Sequence, residues 1–184
     1  MEDPFADRQQ LMTIADYQFG AGAGQALFAE AVVDVTRTKS GRPNQIIGDD
    51  GRLVTLGTDG RFRLGIAGGR RLFSALSFPA YRVVVGAESE PFVKAGKNAF
   101  AKFVVEVDPE IRAGDEVLVV RLIWPDPDNL SEMCEQPLQI RSDPDEQSER
   151  LLAVGRAELD ATSMEDFETG MAVSVRDGAM PASG

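Results

Sequence analysis

Three lysines stand close together in a chain that is otherwise strongly acidic. The formal net charge is −11, yet Lys94, Lys97 and Lys102, three of only four lysines, fall within a nine-residue stretch that contains no acid. An acidic protein that gathers its few lysines around one glycine turn keeps a place for an anion. RNA phosphate is the obvious candidate for that anion.

Gly96 and Asn98 lie between these lysines and add further means of binding RNA. Glycine tolerates positive φ and, without a Cβ, lets the backbone approach a phosphate closely. Asn98 offers a neutral donor and acceptor suited to a base edge or a ribose hydroxyl. A strand predicted over residues 99–105 would place Phe100 and Lys102 on one face. Phe100 then either stacks on a terminal base or, as aromatic residues in strands usually do, joins the core.

Four arginines are further candidates for the same surface. Arg156 lies in a predicted strand and Arg176 at the end of the last predicted strand, and arginine binds phosphate through two parallel hydrogen bonds. Arg70 and Arg71 lie at the start of a predicted helix, where the alternative is a solvated helix face. The predicted RNA-binding set is Lys94, Gly96, Lys97, Asn98, Lys102, Arg156 and Arg176.

The composition argues against catalysis and against a metal site. The chain has no histidine, which removes the commonest general base and metal ligand together. The single cysteine, Cys134, cannot by itself build a cysteine-based metal site. We therefore expect no catalytic residue, no metal and no cofactor.

Two motifs that resemble active-site features are discounted. The glycine-rich segment 20–24 resembles a dinucleotide-binding loop, but it follows a predicted helix instead of a strand. The adjacent carboxylates Asp49 and Asp50, and likewise Glu165 and Asp166, could be imagined as acid/base pairs. Among 30 acids such neighbours are expected by chance, and these are predicted to lie on the surface.

The charge is distributed unevenly along the chain. Residues 37–104 hold 12 basic residues against 5 acids, a net of +7, whereas residues 105–184 hold 6 against 19, a net of −13. This asymmetry predicts one face for a polyanion and another for solvent or a partner. Acids coating the protein of a halophile would explain the total charge but not the basic cluster. With no signal peptide and no apolar run near the roughly 20 residues of a membrane span, the expected location is the cytoplasm.

Residues 1–78 are predicted to form a small α/β domain. Its elements are two helices, four short strands and a third helix, at residues 6–17, 22–28, 32–36, 44–47, 52–56, 61–64 and 69–76. The Phe78-Pro79 pair ends this unit.

Residues 79–179 are predicted to form a small barrel of short strands, which makes the chain α+β. The strands cover residues 81–85, 99–105, 116–123, 151–158 and 171–175, and short helices cover residues 89–93 and 163–167. Residues 124–149 interrupt the barrel as an acidic insertion that holds four of the ten prolines. A solvated loop is the simplest interpretation, and a docking peptide for a partner is the alternative. Residues 180–184 form a tail.

The second unit resembles a PUA domain, a small RNA-binding pseudo-barrel found attached to tRNA- and rRNA-modifying enzymes. The runs that carry the resemblance are Glu90-Pro-Phe-Val-Lys-Ala-Gly-Lys-Asn-Ala-Phe-Ala-Lys-Phe-Val104, Ile111-Arg-Ala-Gly-Asp-Glu-Val117 and Leu151-Leu-Ala-Val-Gly-Arg-Ala157. The first unit looks like the domain that precedes PUA in archaeosine tRNA-guanine transglycosylases. Its matching runs are Ile14-Ala-Asp-Tyr-Gln-Phe-Gly20 and Thr58-Asp-Gly-Arg-Phe-Arg-Leu64.

The resemblance covers nearly the whole chain, except both ends and the acidic insertion, and does not extend to that enzyme's catalytic barrel and zinc site. It implies a small α/β domain followed by a PUA-type mixed β pseudo-barrel with short helices. The expected function is non-catalytic binding of structured RNA, at the acceptor end of tRNA, in support of a tRNA-modifying enzyme. The alternative is a protein-interaction module of the same fold that serves such an enzyme without touching RNA. No DNA or membrane partner is expected.

Overall fold

The computed structural model describes residues 4–29, 32–123 and 148–180. The first unit contains three helices and four strands in the predicted order. They are α1 (Pro4–Phe19), α2 (Ala23–Phe28), β1 (Val32–Arg37), β2 (Pro43–Gly48), β3 (Gly51–Leu56), β4 (Phe62–Leu64) and α3 (Ile66–Ala75). The four strands form an antiparallel meander in the order β1-β2-β3-β4. Short hairpin connections allow this order, because each strand pairs with its neighbour in sequence.

The glycine-rich segment 20–24 joins α1 to α2 and serves helix packing. Asp16 Oδ1 accepts a hydrogen bond of 2.7 Å from Gly24 N–H. A Cβ on Gly24 would lie 2.4 Å from the carbonyl oxygen of Met12, so the two helices approach too closely for a side chain here. The packing of these helices, not a phosphate, accounts for the glycine.

The second unit is built on one curled six-stranded sheet in the order β6-β10-β9-β8-β5-β7, in which β5 and β8 are parallel. Its elements are β5 (Arg82–Val85), α4 (Glu90–Lys94), β6 (Ala99–Phe100), β7 (Val104–Val107), β8 (Glu116–Ile123), β9 (Ser148–Ala157), α5 (Ala161–Asp166) and β10 (Met171–Gly178). Because only residues 101–103 separate the two edge strands β6 and β7, the sheet must curl until its edges nearly meet. The predicted α+β chain with a mixed β pseudo-barrel and short helices is confirmed.

The single strand predicted over residues 99–105 is wrong. Residues 99 and 100 pair with β10, whereas residues 104–107 pair with β5 at the opposite edge. A 3-10 turn over residues 101–103 carries the chain across, with Ala101 N–H donating to Gly170 O and Gly86 N–H donating to Phe103 O, both at 2.9 Å. The predicted common face of Phe100 and Lys102 therefore does not exist.

The predicted insertion at residues 124–149 lies largely outside the described residues, and so do Trp124 and Cys134. Its predicted C-terminal boundary is too late. Ser148 and Glu149 belong to β9, where they pair with Ile123 and Leu122 of β8. Strand β9 thus begins three residues before the strand predicted over residues 151–158.

The two units share a continuous core. One apolar cluster contains Leu53 and Phe62 of the first unit together with Leu118 and Val154 of the second, and a further cluster fills the barrel interior. Arg82 of β5, 1% exposed, reinforces this contact from the second unit. Its guanidinium donates to the last carbonyls of α3, at 3.0 Å to Phe73 O and 2.8 Å to Leu76 O, and so caps that helix.

Two absences hold for the part of the chain that the structure describes. No helix there combines the length and apolarity needed to cross a bilayer. No group of three or more histidine, cysteine, aspartate or glutamate side chains there is arranged to hold a metal ion.

Candidate nucleic-acid interface

The short helix α4 ends at Gly96 in a Schellman motif. Gly96 has φ +93° and its N–H donates to Val93 O, while Lys97 N–H donates to Phe92 O, both at 2.9 Å. The predicted end of the helix at Gly96 is confirmed. These two N–H groups are engaged with helix carbonyls, so a phosphate at this turn would be bound by side chains and not by these two amides.

The turn presents open space to a ligand. A Cβ added to Gly96 would meet nothing within 4 Å. Lys97 and Asn98 are exposed and Lys94 is partly buried, so two lysines flank a turn that carries only the Ala95 methyl group and the bare Gly96. This arrangement allows an anion to approach the chain closely between two cations.

Strand β10 and the residues that follow it hold the turn in place. Asn98 Oδ1 accepts a hydrogen bond of 3.0 Å from Val175 N–H, and Lys94 O accepts one of 3.1 Å from Met180 N–H. The predicted role of Asn98 as both donor and acceptor for RNA therefore changes, because its oxygen already binds β10. Its NH₂ group is not used in that bond and remains the group to consider for a ligand.

Two exposed phenylalanines flank the turn. Phe92 on α4 is 63% exposed and Phe100 on β6 is 46% exposed, so the interpretation of Phe100 as a core residue is wrong. Phe92 was not among the predicted site residues, because a five-residue helix carries too little periodicity to separate its buried from its exposed side. Lys102 is exposed at the neighbouring 3-10 turn, with Nζ 4.8 Å from the centre of the Phe103 ring.

The sheet brings Arg156 close to Asn98. Ala157 of β9 and Ala99 of β6 both pair with Val173 of β10, so the residues that precede them, Arg156 and Asn98, lie roughly 10 Å apart, two strand spacings. The Arg156 side chain is 55% exposed and bonds Glu158 Oε1 at 2.7 and 3.1 Å. Those hydrogen bonds raise the pKa of Arg156 above its ordinary value.

The structure places Arg176 away from this surface, at the contact between the two units. Its guanidinium binds both oxygens of Glu116, with a distance of 2.9 Å between Nη2 and Oε1, and donates to Leu64 O at 3.1 Å. Glu116 is 4% exposed and also accepts Leu64 N–H at 2.8 Å. A guanidinium neutralised by a buried carboxylate has a structural role, and we do not include Arg176 in the interface.

The two candidate arginines of α3 differ in their surroundings. Arg71 donates to Leu27 O at 2.8 Å and lies 3.2 Å from both Asp49 and Asp50, with a side chain only 10% exposed. Its side chain is engaged by these partners, so it is not a solvated helix residue, and we do not include it in the interface. Asp49 and Asp50 are exposed surface residues, as predicted. Glu165 and Asp166 are also exposed.

Arg70, in contrast, is exposed, and its Nη2 lies 3.4 Å from Ala179 O. The next residue, Met180, is the one bonded to Lys94 O. The segment after β10 thus brings the first unit's Arg70 close to the Gly96 turn of the second unit.

Two family models match the chain. A model described as the patch-forming domain C2 of tRNA-guanine transglycosylase matches residues 9–79. A model of the PUA domain matches residues 81–128, which include α4, the Gly96 turn and β5 to β8.

Curated relatives match over nearly the whole chain. The tRNA-guanine(15) transglycosylase of Thermococcus kodakarensis is 41% identical over 172 residues, covering 93% of this chain and 25% of that protein. The transglycosylase of the same name from Methanobrevibacter smithii is 38% identical over 173 residues, covering 94% of this chain and 22% of that protein. The chain therefore spans about a quarter of the length of the curated relatives it matches.

Solved structures share the fold. A hypothetical protein from Pyrococcus horikoshii superposes with a TM-score of 0.61 at 19% identity, covering 96% of this chain and 92% of that one. A conserved PUA domain protein from Thermoplasma acidophilum superposes with a TM-score of 0.56 at 18% identity, covering 96% and 91%. The resemblance predicted from the sequence is confirmed: the chain is a PUA-domain protein whose two domains correspond to the patch-forming C2 and PUA domains in the C-terminal part of the archaeal tRNA-guanine(15) transglycosylases.

Proposed function

We propose that this protein binds RNA through the Gly96 turn, that the RNA is the acceptor end of tRNA, and that the protein assists a tRNA-modifying enzyme without being catalytic itself. The observation that carries the proposal is the open Gly96 turn between Lys94 and Lys97. In a protein of net charge −11, two lysines beside an unobstructed turn favour a polyanion over any other ligand.

The aromatic side chains beside the turn favour an unpaired strand. Phe92 and Phe100 are both exposed, and a base stacked on such a ring contributes about 1–3 kcal/mol. A duplex keeps its bases stacked on each other, so only unpaired nucleotides can use these rings. The 3′ end of tRNA supplies unpaired bases beside a duplex whose phosphates the cations could bind.

The cations set the extent of the binding surface. Lys94, Lys97 and Lys102 lie in the segment from the end of α4 to β7, Arg156 lies two strands away from Asn98, and Arg70 extends this charge onto the first unit. Four to five phosphate contacts predict a salt slope of roughly −3 to −4 in a plot of log affinity against log salt.

The curated relatives are transglycosylases named for a tRNA guanine, which supports tRNA as the RNA and a modifying enzyme as the partner.

The test is binding of the purified protein to tRNA with and without its unpaired 3′ end, across a salt series. We expect intact tRNA to bind with the predicted slope and trimmed tRNA to bind at least about 10-fold more weakly, since one or more stacked bases are lost. Equal affinity for both would overturn the acceptor-end assignment. No binding at any salt concentration would overturn RNA binding and favour the alternative function, docking to the enzyme by protein contacts alone. Base exchange by the purified chain would overturn the non-catalytic role.

A further inference from the structure

We infer that Glu90 is a positioning residue for the proposed RNA-binding turn, although it is too deeply buried to serve as a ligand itself. It is the first residue of α4, is 8% exposed and lies six residues before Gly96. The inference rests on the proposed function, because it concerns the site through which RNA would bind.

The Glu90 carboxylate ties α4 to two strands of the barrel. Oε1 accepts a hydrogen bond of 2.8 Å from Arg150 Nη1, and Oε2 accepts one from Arg121 Nη1. Arg121 of β8 and Arg150 of β9 stand directly opposite each other in the ladder, so a single carboxylate bridges adjacent strands. Such charge-assisted bonds are about twice as strong as neutral ones.

The helix depends on such anchors because it is very short. A five-residue helix has no stability of its own in water. Val93, 1% exposed, anchors the middle of α4 in the barrel core, and the bond from Met180 N–H to Lys94 O anchors its C-terminal end. Glu90 is the ionic anchor at the N-terminal end. Loss of that anchor would let α4 pivot about Val93 and would carry the turn, with Lys94 and Lys97, out of place.

The sign of the effect on RNA affinity separates positioning from simple electrostatics. Glu90 is a negative charge close to a surface that would bind a polyanion, so through its field alone it weakens RNA binding. Removal of that charge should therefore strengthen binding if Glu90 acts only as a charge. If Glu90 positions the turn, its removal weakens binding although the protein becomes less acidic.

The experiment compares Glu90→Gln with Glu88→Gln, a matched loss of one carboxylate at an exposed site two residues away. We expect Glu90→Gln to bind intact tRNA about 10-fold more weakly, a loss equal to roughly one charged hydrogen bond. Glu88→Gln should bind as well as the wild type or slightly better. In the free protein, hydrogen exchange of the Gly96 and Lys97 amides should be faster in Glu90→Gln and unchanged in Glu88→Gln, while β8 amides stay protected in both.

A second variant keeps the inference testable if Glu90→Gln does not fold. Glu90→Asp retains the charge but is one methylene too short to bind both arginines, and we expect the same weaker binding and faster exchange at unchanged net charge. Unchanged or tighter tRNA binding together with unchanged exchange, in either folded variant, would overturn the inference. If the wild type fails to bind tRNA, the proposed function is wrong, and the exchange measurement still decides whether Glu90 orders the turn.

Discussion

Arg176 of β10 and Glu116 of β8 form a two-point ion pair at the contact between the two units, with 2.9 Å between Nη2 and Oε1. Glu116 also accepts the N–H of Leu64, and Arg176 donates to the carbonyl of the same residue. The pair thus fixes the last strand of the first sheet to two strands of the barrel. An arginine that sequence reasoning assigned to RNA instead joins the domains.

Replacement of Arg176 by alanine should destabilise the fold by about 3 kcal/mol, because it leaves the buried Glu116 carboxylate without its cation. Arg156→Ala is the matched control. Arg156 is paired with Glu158 at an exposed site, and its loss should cost far less stability than the loss of Arg176. Urea unfolding of both variants measures the difference. Equal destabilisation of the two would contradict the structural role of Arg176.

Reversal of charge at Lys94 and Lys97 together should weaken tRNA binding by about 100-fold and reduce the salt slope by roughly 1.5, since two phosphate contacts are lost. Lys97 is exposed and Lys94 only partly buried, so the melting temperature should stay close to that of the wild type. Lys39→Glu is the control, because Lys39 is the fourth lysine and is exposed in the turn between β1 and β2. A tRNA affinity that survives the double change would rule out this turn as the binding site.

Gly96→Ala should cost about 1–2 kcal/mol of stability, because the added Cβ meets no atom and only the positive φ of +93° opposes it. Gly114 is a matched control, with the same φ of +93° and equally open surroundings in the turn before β8. Both alanine variants should lose similar stability in urea unfolding. Only Gly96→Ala should also lose tRNA affinity, by about 3-fold or more, since its methyl group lies at the proposed contact. A similar loss of affinity in both variants would show that the effect is not local to the turn.

Phe100→Ala should reduce affinity for tRNA with an intact 3′ end by about 10-fold, the contribution of one stacked base. Stability should change by less than about 1 kcal/mol, because the ring is 46% exposed. Tyr17→Ala removes an aromatic side chain that is 94% exposed on α1 and should leave both quantities unchanged. If Phe100→Ala affects intact and trimmed tRNA equally, Phe100 does not stack on the 3′ end.

The stability that Glu90 contributes should disappear at acid pH. Burial raises the pKa of Glu90, but the hydrogen bonds from Arg121 and Arg150 lower it more, so it lies below its ordinary value of 4.5. The folded state therefore binds this proton less tightly than the unfolded state. The contribution is present above the unfolded pKa and is lost as the pH falls through the folded pKa. Urea unfolding of wild type and Glu90→Gln should differ most near neutral pH and converge as the pH falls below 4.5. A difference that does not change with pH would contradict the ionic role of Glu90.

Most of the local elements could be predicted from the sequence, because they depend on contacts between near neighbours. The end of α1 before Gly20, the end of α4 at Gly96 and the buried strand β8 follow from glycine conformation and apolar runs. The break between β6 and β7 could not be predicted in this way. Residues 99–105 have a continuous strand pattern, and only the curl of the sheet requires the chain to leave one edge and join the other.

By itself the sequence determined that this is a PUA-type α+β protein and that its few lysines gather around a glycine turn, because residue types and their spacing carry that information directly. Only the tertiary structure decided which cations remain available to a ligand. Arginine side chains are long, and their partners are far apart in sequence: Glu116 for Arg176 and Asp50 for Arg71. The folded chain brings those carboxylates to the arginines and leaves Lys97 exposed and Lys94 partly exposed at the Gly96 turn.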